Sequence, residues 1–297
     1  MTHESRLHGL APADAARLLV EAIPYVRRFA GKAIVVKLGG NAIDHRLDQA
    51  LAQDVLLLRS VGVRCVVVHG GGPQIDATLK AFNIERKFQN GLRVTDEQTL
   101  EAVRMTLVGK VNRDLVAKIN RETDDEPVAV GVSGEDGGLL VARQRDPDLG
   151  FVGDVDFVRA GILQRLLDEE LVPVVSTVGA DRSGQPYNIN ADAAACAIAA
   201  AMGAEKLVYL TAAPGLLADP KDPDSVIGKL TPVEARTMVG RHSVSEGMIP
   251  KLSACIDAVE QGVGSAHILD GRIAHSLLIE ILTESGIGTM IAKDGAK

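Results

Sequence analysis

The sequence predicts an α/β protein, a three-layer αβα sandwich with a mainly parallel central sheet. Apolar runs of five or six residues alternate along the chain with stretches whose apolar residues recur at helical spacing. Hydrophobic residues make up 46% of the 297 residues, yet only 3% are aromatic and none is Trp, so Val, Leu, Ile and Ala must form the core. Such a core suits buried parallel strands that are covered by helices. The length fits one large unit or two closely associated lobes, and we expect two lobes.

The first predicted element is an amphipathic helix over residues 11–30. Pro12 stands near its start and Gly31 follows its end, which is the usual placement of these two residue types. Pro24 lies inside the helical pattern and predicts a kink, because proline removes a backbone donor and crowds the preceding turn. The residues leave open whether this helix packs on its own domain or docks as an arm on another subunit.

Strands and helices are expected to alternate over most of the remaining chain. Helices are predicted for residues 47–60, 73–82 and 96–121. Residues 139–158 carry alternating patches and turn residues that favour hairpins over crossover helices. The βα pattern implies right-handed crossovers between parallel strands. The boundary between the lobes is expected near residues 179–185, although the two lobes could share one sheet.

Composition excludes several classes of function. A net charge of -7 and a pI near 5.5 argue against a surface that neutralises nucleic-acid phosphates or anionic lipids. The three cysteines lie far apart without metal-binding spacing, so we expect reduced thiols and no metal site. No segment approaches 18 consecutive apolar residues, and the N-terminus lacks the apolar run of a signal peptide. We therefore expect a cytoplasmic protein that binds neither nucleic acid nor membranes.

Two predicted strands end in glycines directly before a helix. The run "VVKLGG" contains Lys37, which is costly to bury unless it meets an anion, and continues with Gly39 and Gly40. The run "VVHGGGPQI" exposes backbone amides at residues 70–72, where the helix dipole also favours negative charge. Three glycines alone also fit a plain tight turn, and a strand lysine can point into solvent. Because ligands bind at the carboxyl ends of parallel strands, we interpret the pair as an anion-binding cleft.

Three further motifs carry candidate polar residues. In "NGLRVT", Arg93 could present a guanidinium to a carboxylate, although exposed loop arginines are common. In "NINADAAA", Asn190 suits a helix N-cap and Asp192 the first turn, while Asn188 stays unexplained by capping. Asp192 could hold a lysine in position. In "GMIPKL", Lys251 begins a helix, where a cation suggests an anionic partner but also fits a surface lysine.

Taken together, these motifs make the chain resemble the N-acetyl-L-glutamate kinase family of the amino-acid-kinase superfamily, from about residue 11 to residue 292. The pieces that carry the resemblance are "VVKLGG", "VVHGGGPQI", "NGLRVTDEQTLE", "LVGKVN", "VSGEDGGLL", "YNINADAAA", "GMIPKL" and "HILDGRIAHSLLIEILTESGIGTMI". The glycine and lysine motifs are shared across the superfamily, whereas "NGLRVT" and "YNINAD" are more specific to this member.

The resemblance implies the amino-acid-kinase fold and transfer of the γ-phosphoryl group of ATP, with Mg²⁺, to the side-chain carboxylate of N-acetyl-L-glutamate in arginine biosynthesis. Lys37 and Lys251 would stabilise the transferring group, and Asp192 would orient both lysines. The acetylglutamate-binding lobe would span residues 31–180 and the ATP-binding lobe residues 181–297. The residues implied for binding acetylglutamate are Gly71, Gly72, Arg93, Asn188 and Asn190. Those implied for binding the nucleotide are Gly39, Gly40, Thr211, Gly215 and Gly247.

The chain departs from the family pattern at one strand end. Where relatives usually read Leu-Thr-Asp-Val, this chain reads "LTAAPGLLAD", with Ala212 and Ala213. We expect altered ATP affinity from the missing carboxylate.

The N-terminal helix and the segment "TESGIGT" are similar to those of the arginine-inhibited, ring-forming members. This likeness implies L-arginine as inhibitor, bound near Tyr25, Glu284 and Gly286. It also implies a hexamer built as a trimer of dimers, which residues 1–30 would join.

Two alternatives remain at the level of the sequence. The first is another kinase of the superfamily that acts on glutamate, aspartate, carbamate or a nucleoside monophosphate. The second is a non-catalytic arginine-sensing regulatory paralogue, which the alanines at 212 and 213 motivate.

Overall fold

The computed structural model describes residues 11–39, 45–89, 91–123, 126–219, 221–222, 224–240, 244–245, 247–284 and 286–295. The helices are α1 Pro12–Phe29, α2 His45–Ser60, α3 Gly72–Ala81, α4 Glu97–Arg104, α5 Arg113–Arg121, α6 Gly161–Asp168, α7 Ala191–Ala201, α8 Pro232–Gly240, α9 Ile249–Glu260 and α10 Ser276–Leu282. The strands are β1 Ala33–Leu38, β2 Arg64–His69, β3 Phe88–Gln89, β4 Leu92–Arg93, β5 Ala129–Ser133, β6 Leu140–Gln144, β7 Val152–Val158, β8 Val172–Ser176, β9 Val178–Ala180, β10 Pro186–Ile189, β11 Lys206–Thr211, β12 Lys229–Leu230, β13 Ser265–Asp270 and β14 Thr289–Ala292.

An eight-stranded sheet forms the centre of the molecule, in the order β12-β14-β13-β11-β1-β2-β8-β5. Every neighbouring pair in this sheet is parallel except β13 and β14. The predicted α/β class with a mainly parallel sheet is therefore confirmed. Strands from both predicted lobes enter the same sheet, and β1 pairs directly with β11. The division of the chain into an acetylglutamate lobe and an ATP lobe stays a prediction.

Helices cover both faces of the sheet, because successive side chains of each buried strand point to opposite sides. Val35 and Val68 pack into the core cluster that α6, α7 and α9 share. Val36 and Val67 pack into the cluster on the other face, which α2, α5 and α10 cover. The side chain of residue 37 must therefore point towards α7, and that of residue 69 must point towards α2 and α5.

The predicted hairpin region is also confirmed. Strands β6 and β7 pair antiparallel and join β9 and β10 in a small closed barrel beside the main sheet. Asp181 closes the turn between β9 and β10, since its carboxylate accepts hydrogen bonds from the backbone N–H groups of Ser183 and Gln185. Barrel strand β10 leads directly into α7. The carboxyl end of β10 therefore lies beside the glycine loop that follows β2 in the main sheet.

The helix predicted for residues 96–121 forms with an irregularity. Asp96 caps α4 by accepting a hydrogen bond from the backbone N–H of Thr99, at 2.8 Å. Between α4 and α5 the segment Met105–Asn112 winds as a π-helix, which is uncommon and often found at functional sites.

The N-terminal helix α1 is continuous across Pro24, and a kink there stays a prediction. Phe29 is buried at its end, whereas Leu18, Leu19, Val20 and Ile23 expose between 43% and 73% of their surface. Among the described helices, none is both long and apolar enough to cross a bilayer.

Candidate active site

Two lysines meet one aspartate at the carboxyl edge of the sheet. Nζ of Lys37 lies 2.7 Å from Oδ1 of Asp192, and Nζ of Lys251 lies 2.9 Å from Oδ2. The three residues come from β1, the first turn of α7 and the first turn of α9. The side chains of Lys37 and Asp192 are 7% and 8% exposed, while that of Lys251 is 25% exposed. The structure thus places two cations on one buried carboxylate.

The charges of this cluster depend on one another. Burial alone would raise the pKa of Asp192, but the ammonium groups of Lys37 and Lys251 outweigh it, so the pKa of Asp192 lies below its usual value. Burial lowers the pKa of Lys37, and the nearby Asp192 offsets this shift only in part. While both lysines are protonated, two cations share a single anion, and the cluster can attract an anionic group.

The glycine loop after β2 borders the same cluster. Gly71 approaches the π-helical segment so closely that a Cβ atom would lie 2.7 Å from Cδ2 of Leu107. Gly72 begins α3, whose first amides have no partner within the helix. The loop, Lys37 and Asp192 line one cavity of about 230 Å³. This cavity has the size and the donors for a small anionic molecule.

Arg93 also lines this cavity and is 8% exposed. Its Nη2 donates to Oδ1 of Asp76 at 2.7 Å, and its guanidinium lies 4.8 Å from the centre of the Phe88 ring. Its Nη1 is buried and has no hydrogen-bond partner within the described residues. A buried, unpaired guanidinium nitrogen is costly, so this atom favours a ligand oxygen.

The two asparagines of β10 and its end also line the cavity. Asn190 is the N-cap of α7, since its Oδ1 accepts hydrogen bonds from the backbone N–H groups of Asp192 and Ala193 at 2.9 and 3.1 Å. Asn188 donates from Nδ2 to Oγ1 of Thr95 at 3.2 Å. The capping interpretation of Asn190 is confirmed, and a role of Asn188 in binding a ligand stays a prediction.

The residues implied for the nucleotide are less tightly grouped. Gly39 and Thr211 end the adjacent strands β1 and β11, and Gly39 donates from its backbone N–H to the carbonyl of Leu210 at 3.0 Å. Gly215 has a φ of +146° and packs so closely on Thr289 that a Cβ atom would lie 2.8 Å from its Oγ1. Gly247 is exposed just before α9. Gly40 lies outside the described residues, and the nucleotide roles stay predictions.

A second cavity, of about 570 Å³, lies between α1 and the end of α10. Tyr25, Glu284 and Gly286 all line it, so the structure brings the three residues implied for arginine together. Two lining residues that the sequence reasoning missed are Lys206 and Glu280. Burial lowers the pKa of Lys206 to about 8. The signals that could have found them were a lysine at the start of the apolar run of β11 and a glutamate inside the apolar run of α10.

The sequence reasoning also missed Asp76 and His69 near the first cavity. Asp76 lies on α3 four residues after Gly72, about one helical turn further on. There it contacts Arg93 of β4. His69 is fully buried directly before the three glycines. A histidine at the end of an apolar strand was its only local signal.

The arrangement defines a class of protein. Positive side chains and backbone amides around a small cavity are what transfer of a phosphoryl group requires, since such catalysis depends on alignment and on stabilised charge. The model of the amino acid kinase family matches residues 32–270. The chain belongs to the amino acid kinase family.

Within this family, several acetylglutamate kinases are similar to the chain over nearly its whole length. The acetylglutamate kinase of Synechococcus elongatus is 50% identical over 285 residues, which cover 95% of this chain and 94% of that protein. The acetylglutamate kinase of Carboxydothermus hydrogenoformans is 46% identical over 290 residues, covering 94% of this chain and 98% of that protein. The resemblance stated from the motifs is confirmed over nearly the whole chain.

Solved structures share the fold. The N-acetylglutamate synthase of Neisseria gonorrhoeae, complexed with coenzyme A and N-acetyl-glutamate, superposes with a TM-score of 0.81 and 28% identity. The match covers 94% of this chain but only 64% of the synthase, so the chain spans about two thirds of that protein. A carbamate kinase from Giardia has a TM-score of 0.68 at 17% identity, covering 89% of this chain and 100% of that protein, and shows the fold alone.

Proposed function

We propose that the chain transfers the γ-phosphoryl group of ATP to the side-chain carboxylate of N-acetyl-L-glutamate, giving an acyl phosphate for arginine biosynthesis. The observation that carries the proposal is the shared cavity, which Lys37 and Asp192 line together with Arg93, whose Nη1 is buried and unpaired. A molecule with two carboxylates fits a cavity that offers both an ammonium and a guanidinium group. The acetylglutamate kinases at 50% identity support this choice of acceptor.

The lysines would act on the phosphoryl group in the transition state of its transfer. Lys37 and Lys251 would stabilise charge on its equatorial oxygens, while Asp192 would hold both ammonium groups in place. Because Asp192 already pairs with two cations, it is a poor additional ligand for a metal ion. Among the described residues, no three His, Cys, Asp or Glu side chains are grouped to bind one. Mg²⁺ would therefore enter with ATP as part of the substrate, held mainly by its phosphates.

Arg93 would bind the carboxylate of the acceptor that does not react. Asp76 accepts a hydrogen bond from Nη2 at 2.7 Å, and the buried Nη1 has no partner among the described residues, so it is available to a ligand carboxylate. Asn188 would accept or donate a hydrogen bond to the acetamido group. Since such polar groups would be left buried and unpaired without their partner, acceptors that lack the second carboxylate, such as carbamate, or the acetamido group, such as glutamate and aspartate, should be rejected strongly.

The proposal is tested by acceptor-dependent ATP consumption with the acyl phosphate trapped by hydroxylamine. Acetylglutamate should support turnover, whereas glutamate, aspartate, carbamate and UMP, offered separately at the same concentration, should not. Turnover with UMP alone would replace acetylglutamate with another acceptor of the family. Binding of arginine without any trapped product would instead favour the non-catalytic sensor, although the intact lysine pair argues against it.

We also propose that L-arginine inhibits the enzyme and that copies of the chain associate through α1. The second cavity is lined by Glu284, whose carboxylate can bind a guanidinium or ammonium group, and by Glu280, which already pairs with His267 at 2.7 Å. The exposed apolar side chains of α1 suit burial against another copy, and a hexamer built as a trimer of dimers is the proposed assembly. Deleting residues 1–30 should reduce the mass in solution and weaken the arginine response. A truncated protein that stays hexameric would contradict the role of the arm.

A further inference from the structure

The acceptor cavity is the cavity of about 230 Å³ that Lys37, Asp192 and the glycine loop line. A buried histidine contacts this glycine loop. Nδ1 of His69 lies 3.0 Å from the carbonyl oxygen of Gly70, and Nε2 lies 3.1 Å from Nδ2 of Asn112. A carbonyl oxygen can only accept, so Nδ1 carries the proton and Nε2 accepts from the amide of Asn112. Burial lowers the pKa of His69 to about 4, so the ring is neutral at neutral pH. One tautomer of His69 thus satisfies both contacts.

The orientation of His69 is itself fixed by a chain of buried contacts. Asn112 is fully buried at the end of the π-helical segment and also donates from Nδ2 to the carbonyl of Val174 at 2.8 Å. Its Oδ1 accepts a hydrogen bond from the guanidinium of Arg113. Strand β8, which carries Val174, lies next to β2 in the sheet. The π-helical segment therefore places the amide of Asn112 where it donates to Nε2 of His69 and fixes the orientation of the ring.

The contact with Gly70 has a geometric consequence for the cavity. His69 follows Val67 by two residues on β2, so it points to the same face, which α2 and α5 cover. This rear face is opposite to the face of Lys37 and α7. His69 holds the Gly70 carbonyl towards the rear face. In a trans peptide the C=O and the following N–H point in opposite directions, so the N–H of Gly71 is turned towards the cavity. Within the described part of the chain this N–H donates no hydrogen bond.

We infer that His69 is a positioning residue, which orients the Gly70–Gly71 peptide so that the Gly71 N–H donates to the anionic group bound in the acceptor cavity. The role of that donor in turnover depends on the proposed kinase function, but the orientation of the peptide does not. His69 touches no substrate itself. It acts through one hydrogen bond on the loop.

Two substitutions by amide side chains test the hydrogen bonds of the two ring nitrogens separately. In His69→Asn the short amide can replace Nδ1 and donate to Gly70, while in His69→Gln the longer amide replaces Nε2 and reaches Asn112 instead. We expect His69→Asn to keep kcat/KM for acetylglutamate within about threefold, and His69→Gln to lose about 10- to 100-fold, because a misplaced donor costs up to this much. The KM for ATP should stay within about twofold in both variants, since the loop does not hold the nucleotide.

A stability control distinguishes positioning from plain packing. Val67→Ala removes a fully buried side chain from the same face of β2 and should lower the Tm without changing the KM for acetylglutamate. If the two amide variants lose activity equally, or if activity simply follows the Tm across all three, the inference is wrong. Should His69→Gln fail to fold, Asn112→Ala removes the support of the ring and should raise the acetylglutamate KM about fivefold.

Crystal structures of the variants without ligand decide the inference even if no acceptor is turned over. In His69→Asn the Gly70–Gly71 peptide should keep its orientation, and in His69→Gln it should be rotated or spread over more than one conformation. An unchanged peptide in His69→Gln would overturn the inference. Wild-type protein that phosphorylates no acceptor would instead remove the proposed function and leave this structural test in force.

Discussion

Replacing Asp192 with asparagine tests the charge arrangement on which the proposed reaction depends. The substitution keeps the shape of the side chain but removes the anion between two ammonium groups at 2.7 and 2.9 Å. Lys37 cannot move its charge into water, because its side chain is only 7% exposed. Asp192→Asn therefore leaves a buried cation beside a second cation without compensation.

The cost can be worked out from this geometry. The attraction of Asp192 for Lys37 at 2.7 Å amounts to about 6 kcal/mol at an effective dielectric constant of 20, and the desolvation cost of the carboxylate, which the variant avoids, offsets part of it. Removing one partner from a buried ion pair costs about 3–5 kcal/mol in other proteins, which is consistent with this partial offset. We expect Asp192→Asn to lower the free energy of unfolding at pH 7 by about 3 kcal/mol. Turnover should fall about 100-fold or more, because the two lysines lose their alignment.

The pH dependence of the loss gives a second check. Burial lowers the pKa of Lys37, and removing Asp192 lowers it further. A lysine whose pKa is lower in the folded state destabilises the protein most at low pH, and this penalty is relieved as the pH rises and the proton leaves. The stability deficit of Asp192→Asn should therefore shrink between pH 7 and pH 10.

Urea unfolding of wild type, Asp192→Asn and the double variant Lys37→Met/Asp192→Asn measures these effects. The double variant removes the buried cation as well, so it should regain stability while its turnover stays low. Stability would then recover without any recovery of activity. Asp192→Asn protein that is as stable as wild type and turns over within tenfold of it would refute the view that this carboxylate balances a reacting pair of cations.

Two further substitutions test other parts of the structure. Arg93→Lys should raise the KM for acetylglutamate about 10-fold or more with little change in the KM for ATP, because lysine cannot bind Asp76 and a ligand carboxylate together; equal changes in both constants in steady-state assays would argue against it. Burial raises the pKa of Asp54 to about 6, despite its 2.5 Å contact with Nδ1 of His275. Since the folded protein then binds this proton more tightly than the unfolded chain, wild type should lose stability relative to Asp54→Asn as the pH rises from about 4 to about 7, by at most about 3 kcal/mol. Urea midpoints of the two proteins across this range measure the difference, and a difference of opposite slope would show that the pKa of Asp54 is not raised.

The fold was predictable because its signals are local. Short apolar runs predicted the parallel strands, and the capping residue Asn190 predicted the start of α7. The candidate site was predictable only as separate motifs. Lys37 in an apolar run and Asp192 in a first helical turn each suggested a charged partner, but their contact depends on α7 packing across the sheet onto β1. No pattern within either segment encodes that distance.

The rest of the site escaped prediction for identifiable physical reasons. The π-helical segment Met105–Asn112 keeps the apolar spacing of an ordinary helix, so periodicity alone cannot reveal the wider turn. Asp76 has the polar spacing of an exposed helical face, and its partner Arg93 lies 17 residues further on. The nucleotide loop at Ala212 and Ala213 shows the opposite case, because the departure is visible in the sequence while its effect on ATP binding is not.

The alternation of strand side chains explains why both faces of the sheet can serve one cavity. Lys37 is paired in register with Val68, so Lys37 and the next residue on β2, His69, point to opposite faces at neighbouring strand ends. The front face supplies a cation directly. The rear face cannot reach the ligand with a side chain, but it can fix a glycine peptide whose N–H emerges at the front. A parallel sheet with helices on both sides can therefore present a charged side chain from one face and an oriented backbone N–H from the other. This arrangement requires glycine at position 71, just after the strand, because a side chain there would clash with Leu107.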